Sequence, residues 1–357
     1  MIHLKKTAAA WLIPLVIFMG SCKSILPDAL TGASLPFDPN GNSLYHQTEE
    51  TAMEPGTLEV FGEVAEPGKV NLKKFYKREV VMREANLLEN GGYEFVGAYR
   101  YIGYSLFDLL HPFNHQKKNV EEFRPAIDLY VVIENDKGES VTLSWGEIYF
   151  TANPHQILIA TESAPIKPYR VDVEYPVEKQ WKLVVATDLH ASRQLINPVK
   201  IIVKSFDKKN YFVNRDLDPL YSPEMVISLA DTLTFTVNEY TAEMNDLEQR
   251  TIFYGMGMGH HPNPVFKGTS LTKVFSKHID PLNHHLFRHG LVCFAGLDGY
   301  RTVFSYSELF NRLDQNPAML IVTEEGRDGG HYRIFHPLDF YADRSVKSLA
   351  EMYIFTE

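Results

Sequence analysis

The stretch 289-HGLVCFAGLDGYRTVFSYSEL-309 contains the local pattern that decides the fold: an apolar strand, an Asp-Gly turn, a second strand and the start of a short helix. An earlier stretch, 128-DLYVVIENDKGESVTLSWGEI-148, has the same pattern. A glycine between two apolar runs supplies the positive φ that a tight hairpin turn requires. Ser-x-x-Glu at the end of each stretch is typical of a capping box, in which both side chains bond to backbone N–H groups at a helix start. Each stretch is therefore predicted to be a hairpin followed by a capped helix.

The two stretches belong to a longer internal repeat. Matched residues recur at nearly constant offsets: 165 residues between Gly103 and Gly268, 161 between Gly138, Ser144 and Glu147 and their partners Gly299, Ser305 and Glu308, and 151 between Trp181, Asp188 and Arg193 and their partners Tyr332, Asp339 and Arg344. So long a period indicates tandem domains, because solenoid repeats are roughly 20–50 residues long. The Asp and the Arg that lie five residues apart near the end of each repeat are expected to form an ion pair.

The sequence predicts five segments. These are a signal peptide at 1–21, a lipid-anchored tether at 22–56, a first repeat at 57–206, a connector at 207–231 and a second repeat at 232–357. The tether is predicted because this segment lacks hydrophobic periodicity and is rich in Pro, Gly, Asn, Ser, Thr and Glu.

The N-terminus has the features of an export signal. Lys5 and Lys6 precede a mostly apolar run over 8–18 that is too short to cross a bilayer comfortably. The small residues before Cys22 resemble a bacterial lipobox, which implies that Cys22 carries lipid; an ordinary cleaved signal with an incidental cysteine is the alternative. Several acyl chains hold a protein on a membrane without spanning it. We therefore predict export and lipid anchoring to the cell envelope. In bacteria with two membranes an Asp after the lipidated cysteine usually means retention at the inner membrane, and because Lys23 stands there instead, we predict the outer membrane.

Charge and cysteine content restrict the partners and cofactors. The net charge of −10 argues against nucleic acid as a partner, whereas a protein of the cell envelope remains an expected one. If Cys22 is lipidated, Cys293 is the sole remaining cysteine, which excludes an intramolecular disulfide, a zinc ribbon and an iron–sulfur cluster. Cys293 lies in an apolar, strand-like run, so we interpret it as a buried and inert thiol.

The order of motifs in each repeat resembles the molybdopterin-binding domain of the sulfite oxidase family. The matching stretches are 58-LEVFGEVAEPGKVNLKKF-75, 103-GYSLFDLL-110 and 182-KLVVATD-188 in the first repeat, and 268-GTSL-271, 298-DGYRTVFS-305, 319-MLIVTEE-325 and 332-YRIFHPLDFYADRSVKSL-349 in the second. The resemblance implies an α+β fold class: two tandem sulfite-oxidase-like domains with mixed, strongly bent sheets and short helices.

The resemblance also implies molybdopterin as the cofactor, but the expected metal ligand is missing. The family holds molybdenum through a cysteine thiolate placed before the Gly-x-Ser-Leu helix, and neither 77–103 nor 248–268 contains a cysteine. On this resemblance Arg301, Arg333 and Arg344 would hold the phosphate and the pterin, while ordinary salt bridges are the alternative for each of them. No catalytic residue is assigned, and the sequence does not commit the chain to being an enzyme.

Histidines offer a second candidate chemistry. Six of the 14 histidines lie between 260 and 289. His285 and His289 have the spacing that places two imidazoles on one face of a helix, and His260 and His261 lie in the interval where the family has its metal ligand. Neutral imidazole suits Zn, Cu or Ni. These four residues are therefore candidate metal ligands, with loop histidines that bind nothing as the alternative.

Three functions follow from these observations. The first is a cell-envelope lipoprotein whose duplicated, molybdopterin-binding-like domains lack the cysteine ligand and have a binding or structural role. The second is a molybdopterin-dependent oxidoreductase that uses the second repeat. The third is a histidine-rich metal-binding lipoprotein. The missing thiolate in both repeats favours the first.

Overall fold

A computed structural model describes residues 41, 43–230, 232–261, 263–323 and 330–357. The predicted signal peptide and Cys22 lie outside these residues, so both stay predictions. None of the helices in the described ranges combines the length and the apolarity needed to cross a bilayer. Strands make up 41% of the structure and helices 14%.

The structure consists mainly of short strands. In the described ranges the strands are β1 Thr51–Ala52, β2 Glu59–Gly62, β3 Gly68–Lys69, β4 Arg78–Leu87, β5 Tyr93–Ser105, β6 Leu129–Asn135, β7 Ser140–Ser144, β8 Ile157–Pro165, β9 Lys182–Val185, β10 Leu195–Ile196, β11 Pro198–Ser205, β12 Met225–Leu229, β13 Leu233–Val237, β14 Leu247–Arg250, β15 Tyr254–Gly255, β16 Gly259–His260, β17 Val265–Ser270, β18 Gly290–Gly296, β19 Arg301–Ser305, β20 Met319–Val322, β21 Tyr332–Phe335 and β22 Leu349–Thr356. The α-helices are α1 Leu106–Leu110, α2 Trp145–Tyr149, α3 Leu271–Phe275, α4 His284–His289 and α5 Tyr306–Phe310.

Four small sheets are arranged like the blades of a four-bladed propeller. Two come from the first half of the chain, which contains β1 to β11, with strand orders β10-β9-β8-β5-β4 and β3-β2-β11-β6-β7. Two come from the second half, which contains β12 to β22, with strand orders β14-β17-β20-β21 and β13-β12-β22-β18-β19. The series β2-β11-β6-β7 and β12-β22-β18-β19 share the same pairing, one parallel contact followed by two antiparallel ones. The two halves therefore have matching strand connections in these sheets.

The predicted fold class is wrong: the protein is mostly β and does not form two tandem α+β domains. Each described α-helix has only five or six residues, about one and a half turns, and cannot cover a sheet as a separate layer. The sequence signals for helix starts are real, but the helices end almost at once.

The halves also share a core, which a pair of separate domains would not do. One apolar cluster combines side chains from β6 and from the residue that follows β11 with side chains from β18, β19 and β22: Tyr130, Val132, Phe206, Leu291, Cys293, Val303, Tyr353 and Phe355. Aromatic contacts cross this boundary, for example between Tyr130 and Phe355 at 5.8 Å between ring centroids. Burial of apolar area between the two sheets therefore joins the halves.

The predicted hairpins and capped helices are confirmed. Gly138 and Gly299 have φ values of 79° and 76°, within the β6–β7 and β18–β19 turns. Ser144 caps α2 and Ser305 caps α5, and in both cases the glutamate three residues later completes a capping box. These local signals place two glutamates at the boundary between the halves.

The end of the expected tether packs onto the first half. β1 pairs with β8, with Thr51 opposite Ser163. Met53 is buried in the core of the first half. Arg100 also holds this segment, donating to the backbone oxygen of Tyr45 at 3.1 Å.

Candidate functional site

A buried charged centre lies between the halves. In its first part, Arg193 donates to Asp188 at 2.6 and 2.9 Å, and its Nη1 lies 2.9 Å from both carboxylate oxygens of Glu147. In its second part, Arg344 donates to Asp339 at 2.6 and 3.0 Å. The two predicted ion pairs between residues five apart are therefore confirmed.

Glu308 completes the second part of the centre. It accepts bonds from both terminal nitrogens of Arg344 at 3.1 Å, as expected for a bidentate pair. Its Oε1 also accepts from the backbone N–H of Ser305 at 2.8 Å and from the Oγ of Ser144 at 2.6 Å. Because Ser144 belongs to the other half, this carboxylate ties the halves together.

Further contacts cross the boundary. Arg193 Nη1 donates to the Oγ of Ser305 at 3.0 Å, and Arg344 Nη1 lies 3.3 Å from the Oγ of Ser144. Two isolated β-bridges also join the halves, Thr151 with Asp339 and Arg312 with Asp188. The bridged positions correspond to one another through the repeat, so the contact has approximate two-fold character.

Charge in the centre is distributed unevenly. Burial raises the pKa of Glu147 to about 7, against the lowering effect of Arg193 and with a contribution from Glu308. Burial also raises the pKa of Asp188. For Asp339 burial acts in the same direction, but Arg344 and His336 outweigh it and the pKa of Asp339 is lowered. Glu147 is thus the carboxylate that gains or loses a proton near neutral pH.

Gly146 allows the centre to close. A Cβ atom at this position would lie 2.0 Å from the Nη1 of Arg344, so no larger residue fits without displacing the guanidinium. The matched position in the second half is Ser307, whose Oγ donates to the backbone oxygen of Phe287 at 2.8 Å.

A cavity of about 210 Å³ adjoins the charged centre, lined in part by Glu147, Glu308 and His336. His336 lies 2.9 Å from Asp339 and 2.8 Å from a terminal nitrogen of Arg312. The charged groups here bind one another, which is typical of a network that fixes the relative position of two halves. We therefore assign the centre a structural role.

A second and larger cavity lies in the second half. This cleft has a volume of about 590 Å³ and is lined by three cationic and two acidic side chains, Arg215, Lys347, Arg333, Asp298 and Asp343. Arg215 forms an ion pair with Asp298. Asp343 accepts the backbone N–H of Met256 at 2.9 Å. The carboxylates of the cleft are thus bound to protein groups, in a chain whose overall charge is −10.

Arg333 is the buried cation of the cleft. β21 positions it, and its Nε donates to the Oγ of Ser345 at 2.8 Å. The guanidinium carbon lies 5.0 Å from the ring centre of Phe253 and 5.2 Å from that of Phe266, within cation–π range. The guanidinium is therefore held in a fixed plane at the wall of the cleft.

The first half contains a counterpart that is closed. Lys182, on β9, corresponds to Arg333 at the offset of 151 residues. Its Nζ donates to the Oε1 of Glu84 at 2.9 Å and to the Oε1 of Gln194 at 2.8 Å, and lies 4.8 Å from the ring of Tyr101. Lys182, Glu84 and Tyr101 are all buried. The same cationic position is thus filled by core in one half and faces a cleft in the other.

The strand registers define the matched residues. Tyr101 pairs with Val80 in the first half as Phe266 pairs with Gln249 in the second. Continuing the same offsets just beyond the paired strands matches Tyr99 with Pro264 and Glu84 with Phe253, and the offset of 151 matches Gln194 with Ser345. Where the first half has the large ring of Tyr99, the second half has Pro264, and where the first half has the carboxylate of Glu84, the second half has the ring of Phe253. The smaller residues at Pro264 and Ser345 leave the space that forms the cleft.

Of the arginines assigned by the resemblance, only Arg333 lines this cleft. Arg344 belongs to the charged centre. Arg301 is fully buried; it lies 2.8 Å from Glu122 and 3.3 Å from Asp128, with its guanidinium 4.7 Å from the ring of Phe123. Arg301 and Arg344 are thus bound within the protein.

The four candidate histidines lie in two places, His260 and His261 at β16 and His285 and His289 on α4. His261 lines the cleft, and His260 lies beside it on β16, 2.9 Å from the Oδ1 of Asn263. His285 and His289 contact each other on α4, with ring centres 4.9 Å apart. Burial, with His285 next, lowers the pKa of His289 to about 4. Within the described residues no group of three or more His, Cys, Asp or Glu side chains is placed to hold a metal ion.

The described residues do not fit a cysteine-ligated molybdenum centre either. Cys293 lies on β18 in the apolar cluster shared by the halves, and burial raises the pKa of its thiol. It is not part of the cleft. The interpretation of Cys293 as a buried thiol is confirmed.

Sequence reasoning missed Lys182 and Glu84. Lys182 is a charged residue inside an apolar run, 181-WKLVVATD-188, and Glu84 lies at the same alternating, inward positions as Val80 and Met82 in 78-REVVMREANL-87. Buried charges are usually paired, so each of them predicts a partner without identifying it.

Comparison of the sequence with protein-family models and with curated proteins gives no match. The functional argument therefore rests on the geometry of the cleft.

Proposed function

We propose that the protein is an exported lipoprotein of the cell envelope that binds a small molecule in the cleft of its second half. One observation carries the proposal: the same position in the fold is filled by core in the first half and opens into a cavity of about 590 Å³ in the second. Cavities of this size are typical of small-molecule sites. The first half then acts as a scaffold, joined to the binding half through the charged centre.

Replacing Pro264 by Tyr tests this function, because it installs the residue that fills the matched place in the first half. The full chain, purified in mild detergent, is screened by thermal shift against small carboxylates, phosphates, sugars and amines. Compounds that stabilise wild type should fail to stabilise P264Y and should still stabilise the matched control P264A. Equal responses of wild type and P264Y, or no response of wild type to any compound class, would refute the proposal.

The lipid anchor is tested separately. Supporting it are the basic and apolar N-terminal segments and the lipobox-like residues before Cys22. In a bacterial host fed radiolabelled palmitate, wild type and C293A should be labelled and recovered with the outer membrane, and C22A should be unlabelled. An unlabelled wild-type protein would show that Cys22 is not an anchor.

A further inference from the structure

Another cavity, the boundary cavity, lies between the halves. It has a volume of about 330 Å³, and its aromatic lining comes from both halves: Trp145, Tyr149 and Phe150 from the first and Tyr341 from the second. We infer that the boundary cavity binds a small molecule through an uncharged aromatic ring. This site goes beyond the proposed function and does not depend on it, because the boundary cavity and the cleft of the second half are lined by different residues.

The place that matches the boundary cavity in the second half is filled by an aromatic ring. At the offset of 161 residues that relates the two hairpins, Trp145 corresponds to Tyr306 and Ala126 to Phe287. Phe287, on α4, is only 1% exposed, and its ring centre lies 5.9 Å from that of Tyr306. On its other side Phe287 stacks on His190 of the first half, with ring centres 6.5 Å apart. The ring of Phe287 therefore fills the boundary here.

Backbone contacts support this match. The N–H of Phe340 donates to the backbone oxygen of Phe150 at 2.7 Å, and the N–H of Leu189 donates to that of Asn311 at 2.8 Å. The offsets of 151 and 161 relate the two donors and the two acceptors, so this is one contact made twice. The next residue after each donor, Tyr341 or His190, therefore enters the matched place.

In the first half the same place is open. Trp145 and Tyr341, the equivalents of Tyr306 and His190, both line the boundary cavity. Ala126 lines it too, and has a methyl group where the second half has the ring of Phe287. The cavity therefore lies where the other half holds an aromatic ring, and a ligand with such a ring can take that place.

The lining favours an uncharged ring. Among the described residues it contains no Asp, Glu, Lys or Arg, and its other polar members are His111, Asn114 and His115. Burial, with Lys117 next, lowers the pKa of His115, which favours the neutral imidazole. A charged ligand would lose its water here without gaining a partner of opposite charge. An aromatic ring gains from burial and from edge-to-face or offset contacts with the surrounding rings.

The test compares three probes of similar size: phenol, cyclohexanol and benzoate. Each is titrated by calorimetry into the full chain in detergent, and a titration into detergent alone is subtracted. Phenol should bind wild type about fivefold more tightly than cyclohexanol, the difference expected for ring contacts. It should also bind about tenfold more tightly than benzoate, whose charge would be left unpaired. Equal or tighter binding of either comparison probe, or no binding of phenol at millimolar concentration, would overturn the inference.

Variants at Ala126 show where phenol binds. A126F installs the ring that fills the matched place in the second half, so it should abolish phenol binding. The matched control A126S keeps the space open and should bind phenol as wild type does. Y341A removes one aromatic wall and should weaken phenol binding about fivefold, which decides the question if A126F does not fold. Phenol binding in A126F or Y341A that is as tight as in wild type would overturn the inference.

The Pro264→Tyr variant separates the boundary cavity from the cleft. Phenol should bind this variant as it binds wild type, because Pro264 lines the cleft alone. Phenol binding that is lost in Pro264→Tyr and kept in A126F would place the probe in the cleft, which would overturn the inference and leave the proposed function standing. Phenol binding lost only in A126F and Y341A, together with no response in the thermal screen, would instead overturn the proposed function alone.

Discussion

Replacing Glu147 by Gln is expected to remove a pH dependence of stability that the charged centre creates. The pKa of Glu147 is about 7 in the folded protein and 4.5 is its ordinary value. Between these values the folded state holds a proton that the unfolded state has released. The contribution of Glu147 to the free energy of unfolding therefore falls as the pH rises from about 4.5 to 7 and is level above that range.

The size of the effect follows from the shift in pKa. Each pKa unit corresponds to about 1.4 kcal/mol, so this group lowers the free energy of unfolding by about 3 kcal/mol across the window. A glutamine resembles the protonated glutamate and does not titrate. The stability of E147Q relative to wild type should therefore rise by about 3 kcal/mol between pH 5 and pH 8.

Urea denaturation at pH 5, 6, 7 and 8 measures this difference. The comparison with wild type is essential, because His289, with its lowered pKa, titrates with the opposite sign below about pH 6.5. E308Q is the matched control at the other capping box: it breaks the bidentate pair with Arg344 and should cost about 3–5 kcal/mol. An E147Q curve parallel to wild type at all four pH values would refute the assignment of the proton to Glu147.

Three further outcomes are expected. Gly146→Ala should lower the free energy of unfolding by about 3 kcal/mol in urea titration, because the new methyl group displaces Arg344 from its carboxylates. Ser307→Ala at the matched position should cost about 1 kcal/mol. Equally small losses in both variants would contradict the steric argument. Cys293 should be unreactive towards Ellman's reagent in the native protein and should react fully in guanidinium; fast native labelling would contradict its burial. His289 should stay neutral from pH 5 to 8 in an NMR titration, and a midpoint near 6.5 would contradict the lowered pKa.

Local features of the fold could be predicted from the sequence because short-range physics determines them. The turns at Gly138 and Gly299 depend on φ, and the caps at Ser144 and Ser305 depend on residues three apart. The ion pair of Asp188 with Arg193 spans five residues. Each of these signals lies within a few residues of its effect.

The fold class could not be predicted from the same signals. A capping box predicts where a helix begins but not how long it runs, and α2 ends at Tyr149 after five residues. The shared apolar cluster joins Tyr130 to Phe355, which are far apart in the sequence. The motif resemblance carried no information about this packing, so it led to two separate α+β domains.

The cleft depends on differences between two similar halves, and a pattern search looks for similarities instead. Lys182 and Arg333 are alike in charge and position, and that likeness alone predicts two equivalent sites. The second half has Pro264 where the first half has the buried ring of Tyr99, and it has the uncharged Phe253 where the first half has Glu84. Together these changes leave Lys182 inside a packed core and place Arg333 at the wall of a cleft, so two halves with the same strand pairing differ in whether this position is filled.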